Sequence, residues 1–225
     1  MASELNLKAI DLGQTASTSD VIYDALRDAI IRGEMQEGET IRQESVAKLF
    51  NVSRIPVREA LKRLEAQGLV TSVRYKGVVV SSISPREIEE IFEFRVLVES
   101  KLIEYAVESM TEQSLELAKS YCDAFAKETN PEKWGDLNRL FHSALYQDSG
   151  RPYYLEVIRG TNDRVERYVR AQLDLTEGMT RARRDHEIIL DACFKRDVRR
   201  AADLTADHIH SAGQALIRFL QDRSR

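Results

Sequence analysis

Cysteine is scarce in this chain. Cys122 and Cys193 are the only two among 225 residues and lie far apart, which excludes a disulfide-stapled scaffold and reads as two reduced core thiols in a cytoplasmic protein. A signal peptide and any run of about 18 apolar residues are also missing, so neither secretion nor membrane spanning is expected. The sequence holds no phosphate-binding glycine loop and no nucleophile motif, and no positioned general base stands out, which argues against an enzyme. Internal repeats and low-complexity tracts are absent too. A global excess of positive charge is lacking: the formal net charge is −4, which disfavours bulk coating of nucleic acid but leaves room for a local basic patch.

Such a patch exists. Residues 53–77 carry six lysines and arginines against two acids, whereas residues 85–225 carry 22 against 26. The basic segment centres on NVSRIPVREALKRLEAQG, residues 51–68. Ser53 is placed to cap a helix with its hydroxyl, Pro56 falls in the first turn, and Gly68 ends the helix as a C′ residue. Val57, Ala60, Leu61 and Leu64 recur at three and four residues and make one apolar face. Arg54, Arg58, Lys62 and Arg63 spread over the N-terminus and an outer flank. A shorter helical segment, residues 42–50, precedes it across the two residues Asn51 and Val52. Helix, tight turn and a second helix with cations at its leading end form a helix-turn-helix suited to a major groove.

Around this motif the chain divides into three parts. Residues 1–19 lack periodicity and read as a flexible N-terminal arm. Ser19 or Asp20 caps a first helix, which runs to about Arg32 on the stripe Val21, Ile22, Ala25, Leu26, Ala29 and Ile30, and Gly33 stops it. After Gly68 the β-prone runs 69–73 and 78–81 flank Arg74-Tyr75-Lys76-Gly77, which predicts a hairpin with a basic tip, a wing. Residues 20–81 thus form a winged helix-turn-helix. Ser82 and Ile83 link it to Ser84-Pro85-Arg86-Glu87, a capping box. Beyond lies only helical periodicity, with helices at about 85–109, 114–129, 131–147, 152–174, 178–195 and 198–222. Thr111, Asn130-Pro131, Gly150-Arg151-Pro152, Thr176–Gly178 and Asp197 punctuate them. The fold class is mainly α: an N-terminal winged helix with a small β-hairpin, then an all-α antiparallel bundle over residues 84–225.

In the bundle, Asn138 and His142 are four apart and share a helix face. With His186 and His208 from two further helices they could converge on a divalent metal; from spacing alone the signal is weak, and three satisfied core or interface histidines are the better reading. Arg95 interrupts the apolar stripe Ile88, Ile91, Phe92, Val98 and Leu102. It serves either a buried pair with Glu99 or a carboxylate ligand. Arg164 and Arg167 are further cations on the fourth bundle helix. Tyr153, Tyr154 and Trp134 read as packing residues.

These motifs carry a family resemblance. YDALRDAIIRGEMQEGETI, SVAKLFNVSRIPVREALKRLEAQGLV and KGVVV, within residues 23–80, resemble the DNA-binding domain of GntR-type bacterial transcription regulators. EFRVLVES, LNRLFHSALYQDSG, RDHEIILDACFKRD and DHI place residues 84–225 as similar to the FadR-type effector domain, the FCD class. The resemblance implies a ligand-responsive homodimer, a repressor in the first instance, on a palindromic double-stranded operator, with a small organic or sugar acid as effector. It implies Arg54 and Arg58 as the principal base or phosphate contacts, with Ser53 supporting and Lys76 and Gly77 at the wing; Lys62, a further cation of the same helix, is a DNA-binding candidate from its position. An arginine that some members use early in the preceding helix is replaced here by Glu44, so that contact is not carried over. The metal-binding FCD proteins use an Asp and three His; His142, His186 and His208 match the histidines, and Asn138 stands at the Asp position. With the resemblance, the metal expected is zinc first, with nickel or manganese behind. Arg95, by its place in an apolar stripe, and Arg164, on the fourth bundle helix, are the candidate effector ligands, though such helix arginines are most often surface charge. The competing reading is a metal-dependent hydrolase with an accessory nucleic-acid-binding domain, in which three histidines activate water.

Overall fold

The computed structural model describes residues 17–175 and 178–223. Most of the expected N-terminal arm (1–16), and Thr176 and Glu177 of one expected break, lie outside the described residues. The chain separates into two compact units, one ending at Val80 and one beginning at Ser81.

The first unit contains α1 (Thr18–Ile31), β1 (Thr40–Ile41), α2 (Gln43–Leu49), α3 (Arg54–Ala66), β2 (Val70–Val73) and β3 (Gly77–Val80). Its core takes part of the predicted stripe: Ile22, Leu26 and Ile30 of α1 meet Val46 and Ala47 of α2 and Val57, Ala60, Leu61 and Leu64 of α3, whereas Val21 and Ala25 are exposed. The turn between α2 and α3 bends through Asn51 at φ 53°, a left-handed conformation that asparagine tolerates better than most residues. The end of α3 follows from Gly68, whose φ is 73°. The Gly68 N–H donates to Glu65 O at 2.9 Å and the Leu69 N–H to Leu64 O at 3.0 Å, the paired bonds of a Schellman ending.

The start of α3 departs from expectation. Ser53 is the N-cap, but among the described residues its hydroxyl accepts no capping hydrogen bond. Counting from Arg54 as the first helical residue, Pro56 is the third, where the usual donor to a capping hydroxyl sits, and proline has no N–H. The caps of the bundle helices do close: Ser84 Oγ accepts from Glu87 N at 3.1 Å, Thr111 Oγ1 from Ser114 N at 3.1 Å, and Asn130 Oδ1 from Glu132 N at 3.1 Å. The first helix starts earlier than expected, at Thr18, and the Asp20 N–H donates to Ser17 Oγ at 3.2 Å, so Ser19 and Asp20 lie inside the helix and Ser17 stands at its head.

The hairpin forms as predicted, with Val70 opposite Val80 and Val73 opposite Gly77. A third strand was not foreseen: β1 pairs antiparallel with β3, giving the order β1-β3-β2. Two residues are too few to display a period of two, so this strand exists through its partner.

The second unit contains α4 (Pro85–Ser109), α5 (Glu112–Lys127), α6 (Pro131–Tyr146), a short 3-10 turn at Gln147–Ser149, α7 (Pro152–Leu175), α8 (Gly178–Phe194) and α9 (Val198–Arg223). These match the six expected helices to within a few residues. Leu102, Ile103 and Ala106 of α4, Phe141 and Leu145 of α6, Ile189 and Cys193 of α8 and Ala201 of α9 share one core. Gly213 lets α9 close on α4, since a Cβ there would lie 2.6 Å from the Phe92 ring. Both cysteines are buried and free, and burial first of all pushes Cys122 up to about 11 and Cys193 up to about 12. The capping box is half realised: the Glu87 side chain pairs with Arg164 of α7 instead of turning back to Ser84. Trp134 packs as expected and donates to Glu128 O at 3.0 Å. Tyr153 does not pack; it is 73% exposed in the first turn of α7, with Tyr154 beside it at 39%.

Candidate functional site

In the first unit the basic residues gather on the outer face of α3. Val57, Ala60, Leu61 and Leu64 are buried, while Arg54, Arg58 and Lys62 are exposed. Spaced by four, these three cations form one stripe along the helix. Arg54 NH2 lies 2.7 Å from Glu44 Oε1 of α2. Glu44 is thus the immediate neighbour of a cation assigned to DNA. The Ser53 hydroxyl, not spent on capping, is exposed at the head of the stripe. Ile55, in the first turn, is 59% exposed and was not anticipated; an exposed aliphatic group on such a face can meet a thymine methyl. At the wing, Tyr75 takes φ 66° and Gly77 φ 83°, and Lys76 is exposed at the tip.

In the second unit His142 of α6, His186 of α8 and His208 of α9 converge. One ligand nitrogen from each lies within 4.8 Å of the others. His142 and His186 are buried, and the ring centroids of the three histidines lie 5.1 to 5.2 Å apart. Burial first, then the charges of His208 and Arg95 for His142 and of His142 and His208 for His186, hold both well below the ordinary imidazole range, so both are neutral and able to ligate. The outer shell fixes which nitrogens face inward. His208 Nδ1 lies 3.2 Å from Asp185 Oδ2. Burial would raise the Asp185 carboxyl, but His208 with Arg181 and Arg184 holds it below the usual range. An ionised Asp185 accepts a proton-bearing Nδ1, which leaves the lone pair of His208 on Nε2. Tyr146 gives its hydroxyl proton to Glu99 at 2.9 Å, and His142 Nδ1 approaches the same hydroxyl oxygen at 3.5 Å. That places the His142 lone pair on Nε2 as well. His186 has neither ring nitrogen hydrogen-bonded among the described residues. Two buried nitrogens without partners are costly, and a metal ion would satisfy one of them. The donor set therefore fits a divalent metal.

Asn138 lines, with His142, two cavities of about 340 and 510 Å³. Arg95 lines both as well; its Nε donates to the fully buried Glu99 at 2.7 Å. The buried pair with Glu99 is thereby formed, and the paired guanidinium still lines the cavities. Arg164 lines neither cavity and is engaged by Glu87. Asp136, six residues before His142, lies beside Arg170 at 2.6 Å and Arg139 at 3.5 Å rather than in the histidine cluster. Tyr146, four residues after His142, could have been found from its helical spacing. Asp185 could not, because its partner His208 is 23 residues away on another helix.

Comparison with known proteins agrees with this division. Residues 18–80 match the model of bacterial regulatory proteins of the gntR family, and residues 90–211 match the FCD domain. The chain is 30% identical over 200 residues to the HTH-type transcriptional repressor GlaR of Escherichia coli K12, covering 83% of this chain and 90% of that one. A crystal structure of a GntR-family transcriptional regulator from Pseudomonas syringae pv. tomato is 30% identical. It covers 92% of this chain and 87% of its own, at a TM-score of 0.55. McbR/YncC of E. coli, 22% identical, shares the fold at a TM-score of 0.76 over 94% of this chain and all of its own. Among the described residues no helix is long and apolar enough to cross a membrane. The relatives are transcription regulators rather than enzymes, and the chain belongs to the GntR family of bacterial regulatory proteins, with an FCD domain as its second part.

Proposed function

We propose that the chain is a metabolite-responsive repressor. As a homodimer it binds a palindromic operator, and its bundle binds a divalent metal, zinc first, together with a small organic acid. The observation that carries this reading is the shared wall of the two bundle cavities. His142, Asn138 and Arg95 stand there together, so a ligand in either cavity meets a guanidinium and the histidine cluster at once. His142, His186 and His208 would hold the metal through nitrogen and Asn138 through its amide oxygen. A bound divalent ion supplies a positive anchor for a carboxylate. Arg95 adds a second fixed positive charge, presented by Glu99.

On the DNA side, Arg54, Arg58 and Lys62 supply guanine and phosphate contacts, Ser53 a phosphate contact, and Lys76 and Gly77 the wing contact. Exposed Leu97 and Phe94 on α4 support a dimer, as apolar surface left for a second copy. Effector and operator are then linked by a coupling free energy, so each changes the affinity of the other. The test is to select a duplex from a randomised pool and measure its affinity for the chain at fixed salt, with zinc, against a panel of small carboxylates. At least one acid should weaken operator binding about fivefold or more. A panel that leaves the affinity unchanged, with or without zinc, would contradict the reading.

A further inference from the structure

The head of α3 holds an acid as well as cations. Glu44 sits in the first turn of α2, and its Oε1 accepts from Arg54 Nη2 at 2.7 Å. Among the described residues Arg58 and Lys62, the other two cations of the stripe, carry no ion pair. Arg63, on the flank of the helix, is taken by Asp20 and lies over the Tyr23 ring. Glu44 and Arg54 are both largely exposed, and a pair so screened by water adds little to stability. Folding therefore gives no reason for a carboxylate on this face. Ile55, next to Arg54, is exposed there too.

An arginine that binds phosphate works by its charge. A carboxylate beside it cancels part of that charge and repels the phosphate. An arginine that reads guanine works by direction, because its planar fork must meet the O6 and N7 acceptors together. The base carries no net charge, so a carboxylate beside the fork is no obstacle to it. Glu44 occupies one N–H of the fork, which fixes the plane and leaves the other N–H groups for the base. Ile55 points the same way: an aliphatic group has nothing to offer a phosphate, and the groove presents it with thymine methyls. Resting on the reading of α3 as the recognition helix, we infer that Glu44 is a specificity-determining residue. It acts through Arg54, steering that guanidinium off the phosphate backbone and onto one guanine in each half-site.

Fluorescence anisotropy of the full chain tests this at fixed salt, using the duplex it selects from a randomised pool and every single base-pair change of that duplex. Arg54→Ala should abolish a preference of about fivefold or more for guanine at one position of each half-site. Glu44→Ala and Glu44→Gln should remove most of that preference at the same position. They should also bind unrelated duplexes about twofold or more tighter than the parent, with a salt slope steeper by about 1, as Arg54 turns to a phosphate. Glu44→Ala combined with Arg54→Ala should discriminate as Arg54→Ala does alone, since the acid acts through the arginine. Glu44 variants that keep the guanine preference, Glu44 variants that lose affinity equally on all duplexes, or an Arg54→Ala variant with every base preference intact would each overturn this inference and leave α3 as the recognition helix. If no duplex is enriched from the pool, the reading of α3 falls and this inference with it.

Discussion

Asp185 holds the Nδ1 of His208 at 3.2 Å, although neither residue lies within helical reach of the other in sequence. The contact joins α8 to α9 and engages Nδ1 of His208, which leaves its other ring nitrogen as the donor for the cluster with His142 and His186. Such a carboxylate acts on a metal site without touching the ion. Asp185→Asn should therefore weaken zinc affinity by about 10- to 100-fold. Competition with a chromogenic chelator would measure this, and circular dichroism should show the helical content unchanged. An affinity equal to that of the parent chain would mean that His208 is oriented by packing alone.

The reading head separates stability from recognition. The Glu44–Arg54 pair is exposed on both sides, 78% and 66%, and exposed pairs contribute about 0–1 kcal/mol. Glu44→Gln should leave the unfolding midpoint unchanged within about 1 °C. It should alter which duplexes are selected from a randomised pool, because Arg54 loses the carboxylate that orients it. Arg58→Ala should lower affinity for the selected duplex about tenfold or more. A uniform loss across sequences with a shallower salt slope would assign Arg58 to phosphate, and a loss confined to the selected sequence would assign it to a base.

Glu166 makes stability depend on pH. Burial, against the opposing charges of Arg170 and Arg139, pushes its carboxyl up to about 7 from an ordinary 4.5. Between these two values the folded chain keeps a proton that the unfolded chain has released. Folding stability therefore falls as pH rises through this window and levels off above it. Glu166→Gln, which cannot ionise, should match the parent near pH 4.5 and exceed it at pH 8. At about 1.4 kcal/mol per pKa unit the gap is on the order of 3 kcal/mol. Urea denaturation across this range measures it, and parallel curves for the two proteins would show that the Glu166 carboxyl titrates alike in the folded and unfolded chains.

Local signals in the sequence carried most of the fold. Ser84-Pro85 and Thr111 bracket α4, and Asn130-Pro131 opens α6, because caps and prolines act within one turn. Gly68 ended α3 for the same reason. What needed the structure was non-local. The strand β1 is defined only by Val78 and Val79 opposite it. Ser53 failed to cap through a proline three residues on, and Glu87 was taken by Arg164 across 77 residues. In the candidate site, the spacing of Asn138 and His142 was legible as a shared face. The convergence of His142 with His186 and His208 rested on a family resemblance, since no periodicity relates three separate helices. Asp185 and Glu166 gave no sign, because their significance lies in what they face.

The account stands most directly on the histidine cluster, and metal stoichiometry tests it. The chain is stripped with a chelator, dialysed against zinc and assayed for metal per mole of protein, alongside His186→Gln and His208→Gln with their folding checked by circular dichroism. About one zinc per parent chain is predicted, with loss of most of it in both variants. A parent chain that takes up no zinc, nickel or manganese, or folded variants that retain as much as the parent, would contradict a metal centre at His142, His186 and His208.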